Sequence, residues 1–413
     1  MDNNNPIRVA VISAFPPVKD NYKGPNSLPY QLLKHRPDEI IVDLYYFSQP
    51  EITPEVIADS LSKLNLAAIT QIDNDSYSNF DKIKKLISRF LFPNEINSLP
   101  GVLQSFLPPH KIINNIKNNN YDQIWLYPSW LYNWIKPLKL QPIIISGMDS
   151  ASLHYTRCID LNLANSDNEL SHMKLLLKKY IHLEKEIAKT GKKVHMVGKS
   201  DADFFNKLTN SNQAFFVPHP HNGITKYVNK DFSVKAKLKI LITGQADSIY
   251  LRNELDRVIK VFIENENVFK NHFNLNFIGS GFELVVKKLK DAGYEITHNN
   301  WVADFSDEIG NMDIQIFPIA VGTGTKGKVL HALATGLLGI GTSMAFENIN
   351  ATEGNDFLVY RNEDDLKLFL LNLISESKSY SEIAGNGARQ IRTHHSPDLN
   401  ASQFWSEIKN NSN

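Results

Sequence analysis

MDIQIFPIAVGTGTKGKVLHALATGLLGIGTS, Met312–Ser343, is the stretch on which the fold turns. MDIQIFP reads as a short apolar strand. GTGT is a glycine loop, the residues from about Thr325 to Thr335 form an apolar helix, and LLGIGTS is a second strand. Two strands joined through a helix belong to a doubly wound parallel sheet. Gly322 and Gly324 let the backbone turn tightly and come close to a ligand. The helix then aims its first amides and its dipole at the same place, which suits a phosphate. Lys326 and Lys328 add positive charge there, while Thr323 and Thr325 are placed to cap the helix or bond an oxyanion. Gly336 closes the helix as a C′ glycine. The plainer alternative is a turn before a core helix with both lysines in solvent. GTGTKGKV lacks the spacing of a P-loop, and it sits too late in its domain for a dinucleotide fingerprint.

Outward from this stretch, apolar runs alternate with helical patterns along the chain. Ile7–Phe15, Glu39–Phe47, Gln123–Pro128, Gln141–Asp149, Lys193–Gly198 and Ala214–Pro220 read as the strands of a first α/β unit. Leu238–Gly244, FNLNFIGSG, Met312–Pro318, LLGIGTS and Asp356–Tyr360 read as those of a second. The polar, glycine-containing HPHNGITKYVNKDFS lies between the two sets and serves as the linker. The expected fold is α/β, with two Rossmann-like, doubly wound parallel-sheet domains facing across a cleft. Ligands of such sheets lie beyond the carboxyl ends of the strands.

The chain has 413 residues, 42% hydrophobic and 21% charged, with a formal net charge of zero. The length suits two domains, and the balanced charge argues against nucleic acid as a partner. A single cysteine, Cys158, excludes an internal disulfide, and no Cys-His motif is read around it. MDNNNPIRVAVISAFPP lacks the pattern of a signal peptide, and no run is long enough to span a bilayer. A cytoplasmic protein is expected. DKIKKLISRFLF, within 81–92, places apolar and basic residues on different helical faces. It is a candidate for contact with the inner face of the cytoplasmic membrane, or else an ordinary surface helix. The histidines of HPH and HH lack partners at ligand spacing, so no metal site is expected.

The Trp301–Ile349 stretch resembles the donor-binding region of GT-B glycosyltransferases of the family-four-like kind (glycosyltransferase group 1). The match is a strand ending in proline, a glycine-rich loop with lysine, a helix similar to VLEAMA.G, an apolar strand and a glutamate-containing loop. Weaker likeness extends over most of the chain, through YKGPNS, PIIISGMDSASLHY, GKSDADFF, VPHPHNG, LKILITGQAD and HHSPDLNASQFWSEI. The resemblance implies an acceptor-binding domain over 1–222, a donor-binding domain over 223–395, and a last helix, 396–413, packing back on the first. It implies a retaining, metal-independent hexosyl- or deoxyhexosyltransferase. The donor would be a nucleotide-diphospho-sugar acting as co-substrate, with no other cofactor. The acceptor would be a saccharide or lipid-linked, in the setting of bacterial surface-polysaccharide synthesis.

Residue by residue, the resemblance places Gly322, Thr323, Gly324, Thr325, His331, Glu347, Arg252, Trp301 and Gly244 at the donor. Lys326 and Lys328 would stabilise the leaving diphosphate, and Asp149 would contact sugar hydroxyls or take the acceptor's proton. Gly24, Asn26 and His154 would line the acceptor side. Each has a plainer alternative: Asp149 as a helix cap, Glu347 in solvent, Arg252 as a first-turn helix residue, Trp301 and His154 as packing. The departures are specific. Thr323 and His331 stand where the family carries its two glutamates, Met148 replaces a histidine, and Gly339 replaces a proline at a strand start. A neutral His331 can still hydrogen-bond a ribose. The lost carboxylates keep open an inactive GT-B homologue serving as partner or scaffold. An epimerase or phosphorylase of the same architecture is a third candidate.

Overall fold

The computed structural model describes residues 6–19, 24–81, 83, 98–221, 226–233, 236–302 and 305–410. Its contacts divide the chain into one unit of Met1–Asn222 with Pro397–Asn413 and a second of Gly223–Ser396.

The first unit runs β1 (Ile7–Ser13), α1 (Gly24–Lys34), β2 (Ile40–Phe47), α2 (Pro54–Ser62), β3 (Ala68–Ile72), α3 (His110–Asn118), β4 (Gln123–Tyr127), β5 (Ile143–Met148), α4 (Ala151–Asp160), α5 (Asp167–Lys189), β6 (Lys193–Met196), α6 (Lys199–Thr209) and β7 (Ala214–Phe216). Its sheet has the order β3-β2-β1-β4-β5-β6-β7, with every pairing parallel. The order reverses beside β1, so the strand ends of β1 and β4 open a crevice at the carboxyl edge. Val9 to Ile12 and Ile124 to Tyr127 have no exposed surface, as strands covered on both faces require.

The second unit runs β8 (Leu238–Thr243), α7 (Glu254–Glu264), α8 (Glu266–Phe269), β9 (Phe273–Ile278), α9 (Glu283–Asp291), β10 (Ile296–Asn299), α10 (Phe305–Gly310), β11 (Ile314–Phe317), α11 (Gly327–Thr335), β12 (Leu338–Gly341), β13 (Leu358–Val359), α12 (Glu363–Ser375) and α13 (Ser377–His394). Its order, β10-β9-β8-β11-β12-β13, is again all parallel and reverses beside β8. The stretch that opened the sequence reading is β11, α11 and β12, in adjacent positions of this sheet. The helix begins at Gly327, two residues later than the apolar pattern implies. Its residues from Val329 to Thr335 are all buried. Gly336 ends it at φ 99°, and a Cβ there would come within 2.4 Å of the Val228 carbonyl oxygen. Only glycine combines that backbone angle with that approach.

α14 (Pro397–Asn410) returns to the first unit. Ala401, Phe404, Trp405 and Ile408 recur at helical spacing and are wholly buried in one core with Val9, Val11 and Trp125. The Trp405 indole N–H donates to the Leu32 carbonyl at 2.7 Å, which anchors α14 to α1.

The stretch 81–92 lies outside the described residues apart from Asp81 and Ile83. Among the described residues no helix is long and apolar enough to cross a membrane.

Candidate functional site

In the second unit, three turns meet at the carboxyl edge of the sheet. Gly244 follows β8 at φ 144° and Gly279 follows β9 at φ 133°. A Cβ on Gly279 would lie 1.7 Å from the Gly244 carbonyl oxygen, so these two turns touch backbone to backbone. The loop after β11 leans on the turn before α7: the Ala320 amide donates to the Tyr250 carbonyl at 2.7 Å. Arg252 is half-buried in that turn, ahead of the helix rather than inside its first turn. The exposed Tyr250 beside it was not singled out from the sequence.

The glycine loop is laced to the loop after β12. The Asn348 side-chain amide donates to the Gly324 carbonyl at 2.9 Å, and the Thr325 hydroxyl donates to the Asn348 carbonyl at 3.4 Å. The Lys326 ammonium lies 3.2 Å from the Gly324 carbonyl and 3.4 Å from a Glu347 carboxylate oxygen. Lys326 and Glu347, read separately from the sequence, form one ion pair, with side chains only 11% and 23% exposed. Gly322 is buried and Thr323 half-buried in the same loop. Thr323 and Thr325 do not occupy the helix cap: Lys326 holds that position and makes no side-chain cap bond. The reason is the later helix start, which puts both threonines in the loop. Lys328 is exposed in the first turn of α11, and partial desolvation by the surrounding protein lowers its pKa below the ordinary lysine value.

His331 is 3% exposed. Its Nε2 lies 3.3 Å from the Ser306 hydroxyl, and the Phe305 ring meets it edge-on at 5.6 Å. The imidazole is thus enclosed against α10. Trp301 is 69% exposed, so it is not a packing residue.

In the first unit, Asp149 is exposed between β5 and α4. It is not the helix cap; Ser150 is, accepting from the Leu153 amide at 3.2 Å. Met148, just before it, stands at φ 63°. The Tyr127 hydroxyl lies 2.7 Å from the Pro25 carbonyl and 3.0 Å from the Met148 sulfur, joining the start of α1 at Gly24 to the end of β5. Burial, reinforced by Asp149, raises the Tyr127 phenol well above its ordinary pKa, so it stays a neutral donor. Asn26, expected on the acceptor side, is wholly buried, and its amide donates to the Pro16 carbonyl at 2.8 Å and to Gln49 at 3.0 Å. That side chain braces the turn after β1 from within. His154 is half-buried, its pKa lowered by burial, and its Nε2 is 3.5 Å from the sulfur of the buried Cys158. The i, i+4 spacing of the two residues on one helix brings them together.

A cavity of about 1080 Å³ opens at the ends of β2 and β3, lined among others by Phe47, Asp73, Tyr77, Phe106, His110 and Lys136. Aromatic faces interleaved with a few polar groups are typical of small-molecule sites. It escaped the sequence reading because β3 did. Among the described residues no three histidine, cysteine, aspartate or glutamate side chains are grouped to hold a metal ion.

No protein-family model matches the chain, and no curated protein matches it in sequence. Solved structures match over nearly its whole length. Sucrose-phosphate synthase from Thermosynechococcus elongatus is 11% identical, covers 98% of each chain and superposes with a TM-score of 0.69. Anabaena HepE in complex with UDP is 11% identical, covers 98% of this chain and all of its own, and gives 0.64. A glycosyltransferase from Rickettsia africae is 12% identical, covers 98% and 99%, and also gives 0.64. The two parallel sheets and these neighbours establish the GT-B fold.

Proposed function

We propose that the chain is a glycosyltransferase that moves a sugar from a nucleotide-diphospho-sugar to a saccharide acceptor. The observation that carries this is the glycine loop at Gly322–Lys326. It delivers a cation fixed by Glu347 to the start of a buried helix, at the carboxyl edge of a doubly wound sheet. A diphosphate there meets loop amides, the positive end of α11, Lys326 and Lys328. As the bond from the anomeric carbon to the diphosphate breaks, the growing negative charge is met by groups already in place. These charges do the work that a metal would otherwise do. Uridine is the favoured base, because HepE has been crystallised with UDP-glucose and the pneumococcal transferase GtfA with UDP and GlcNAc.

The first unit takes the acceptor. Asp149, exposed at the end of β5, contacts its hydroxyls or takes the proton as the new bond forms, and the aromatic cavity offers room for a sugar ring. Transfer with retention, a lipid-linked acceptor and surface-polysaccharide synthesis are finer parts of this proposal, supported by the likeness of Trp301–Ile349 to the family. Attachment to a membrane surface is a further part, supported by the apolar and basic faces of the 81–92 sequence.

The test is UDP release from UDP-glucose and other UDP-sugars, alone and with a panel of mono- and disaccharides. Release that survives in the Lys326→Ala, Lys328→Ala double variant would overturn the mechanism. A second reading, a non-catalytic GT-B partner protein, is favoured by the enclosure of His331 in the place of a family glutamate. Absence of any thermal shift with UDP-, GDP- and dTDP-sugars would select it.

A further inference from the structure

Two carboxylates that the proposed chemistry does not use lie beneath the loop that carries Asp149. Glu184 sits well inside α5 and Asp201 in the first turn of α6; they are 6% and 0% exposed. Both are turned to the start of α4. The Ser150 amide donates to Asp201 at 2.8 Å. The Ser150 hydroxyl donates to Glu184 at 2.9 Å, and the Ser152 amide donates to it at 3.2 Å. The Ser152 hydroxyl donates to the second Glu184 oxygen. On the other side of Asp149, Met148 holds a left-handed backbone angle that non-glycine residues avoid. Asp149 is therefore suspended between a constrained residue and a doubly anchored one.

We propose that Glu184, backed by Asp201, is a positioning residue that latches the first turn of α4 and so fixes how Asp149 is presented to the acceptor. This rests on the reading of Asp149 as an acceptor-side group. Carboxyl oxygens accept several hydrogen bonds at once, and the four donors from Ser150 and Ser152 meet this pair of acids. Burial raises the Glu184 carboxyl to about 7 against the opposing pull of the serine bonds, with Asp201 adding to the rise. Asp149 itself acts on Tyr127, His154 and Tyr180.

The test uses the full chain. Hydrogen exchange is followed in peptides spanning 148–156. UDP release from UDP-glucose is measured with the saccharide panel, and UDP affinity by calorimetry. Glu184→Ala should speed exchange in 148–156 about tenfold and lower acceptor-dependent transfer about tenfold, with UDP affinity unchanged. Glu184→Gln, which keeps one carbonyl acceptor, should fall between. In the Asp149→Ala background Glu184→Ala should cost nothing more, since it acts through Asp149. Unchanged exchange in 148–156 overturns the latch whatever the activity. An impaired Asp149→Ala whose loss multiplies with that of Glu184→Ala overturns positioning through Asp149 while leaving Asp149's own role standing. Full transfer by Asp149→Ala removes that role, and this inference falls with it.

Discussion

Lys326 is the residue whose charge the proposed chemistry uses most directly, and its partner decides where that charge sits. A lysine ammonium on four flexible carbons wanders unless held; Glu347 holds it from 21 residues further along. Lys326→Ala removes a preorganised cation from the developing diphosphate charge and should lower UDP release by about 10²–10³-fold. Steady-state release at saturating UDP-glucose measures this, and a loss smaller than threefold would remove Lys326 from the mechanism. Glu184 offers a separate test through stability. Its carboxyl rises from the ordinary 4.5 to about 7 in the fold, mainly through burial. The folded state therefore binds more protons than the unfolded one between those values. The stabilising contribution is full below about 4.5 and is lost as pH rises through about 7, on the order of 3 kcal/mol in all. Urea unfolding of the wild type should weaken across that window beyond the trend of Glu184→Gln. Parallel curves would contradict it. At this scale the sequence displayed residue types but not their partners. Lys326 and Glu347 were each legible beside the glycine loop, yet their contact depends on where β12 returns the chain. Glu184 sits in a lysine-rich helix and looks like any surface acid, because nothing local reveals the serines above it.

The element that matters most is α11, and its two ends were not equally legible. The C-terminal end was written in one residue. Gly336 takes φ 99°, its amide donates to the Leu333 carbonyl at 2.9 Å, and Leu337 closes back on Ala332 at 3.1 Å. Gly336→Ala should destabilise the second unit by at least about 1–2 kcal/mol for the left-handed backbone alone. The 2.4 Å approach to the Val228 carbonyl adds to that cost. Urea denaturation checks it, and an unchanged midpoint would show that this turn can rearrange freely. The N-terminal end was misplaced because threonine is a good cap by type, whereas the chain turns into the helix only after Lys326. The strands divide in the same way. Central strands such as β1 and β4 are continuous apolar runs and announce themselves. β3 and β10 are edge strands with polar, partly exposed residues, AITQI and ITHN, and carry no such mark. Missing β3 hid the cavity at its end as well.

For the molecule as a whole, the first unit is built from two separated pieces of chain, and its core is incomplete until the last residues arrive. α14 supplies Phe404, Trp405 and Ile408, each with no exposed surface, to the core that holds Val9, Val11 and Trp125. Phe404 lies 4.7 Å from the Trp125 ring and Trp405 5.9 Å from it. Burying three such side chains is worth about 1.5–3 kcal/mol apiece. Their sum is comparable with the roughly 5–15 kcal/mol of net stability that a whole domain has. Residues 1–222 alone should therefore lack a cooperative urea transition and expose apolar surface to a hydrophobic dye. A peptide of residues 397–413 added in trans should restore the transition in a concentration-dependent way, because binding to the folded form alone stabilises it. Trp405→Ala in that peptide should weaken the rescue, since it removes both the ring and the indole bond to Leu32. If residues 1–222 unfold cooperatively at the urea midpoint of the intact unit, α14 is a passenger on a finished core and the estimate of its contribution is wrong.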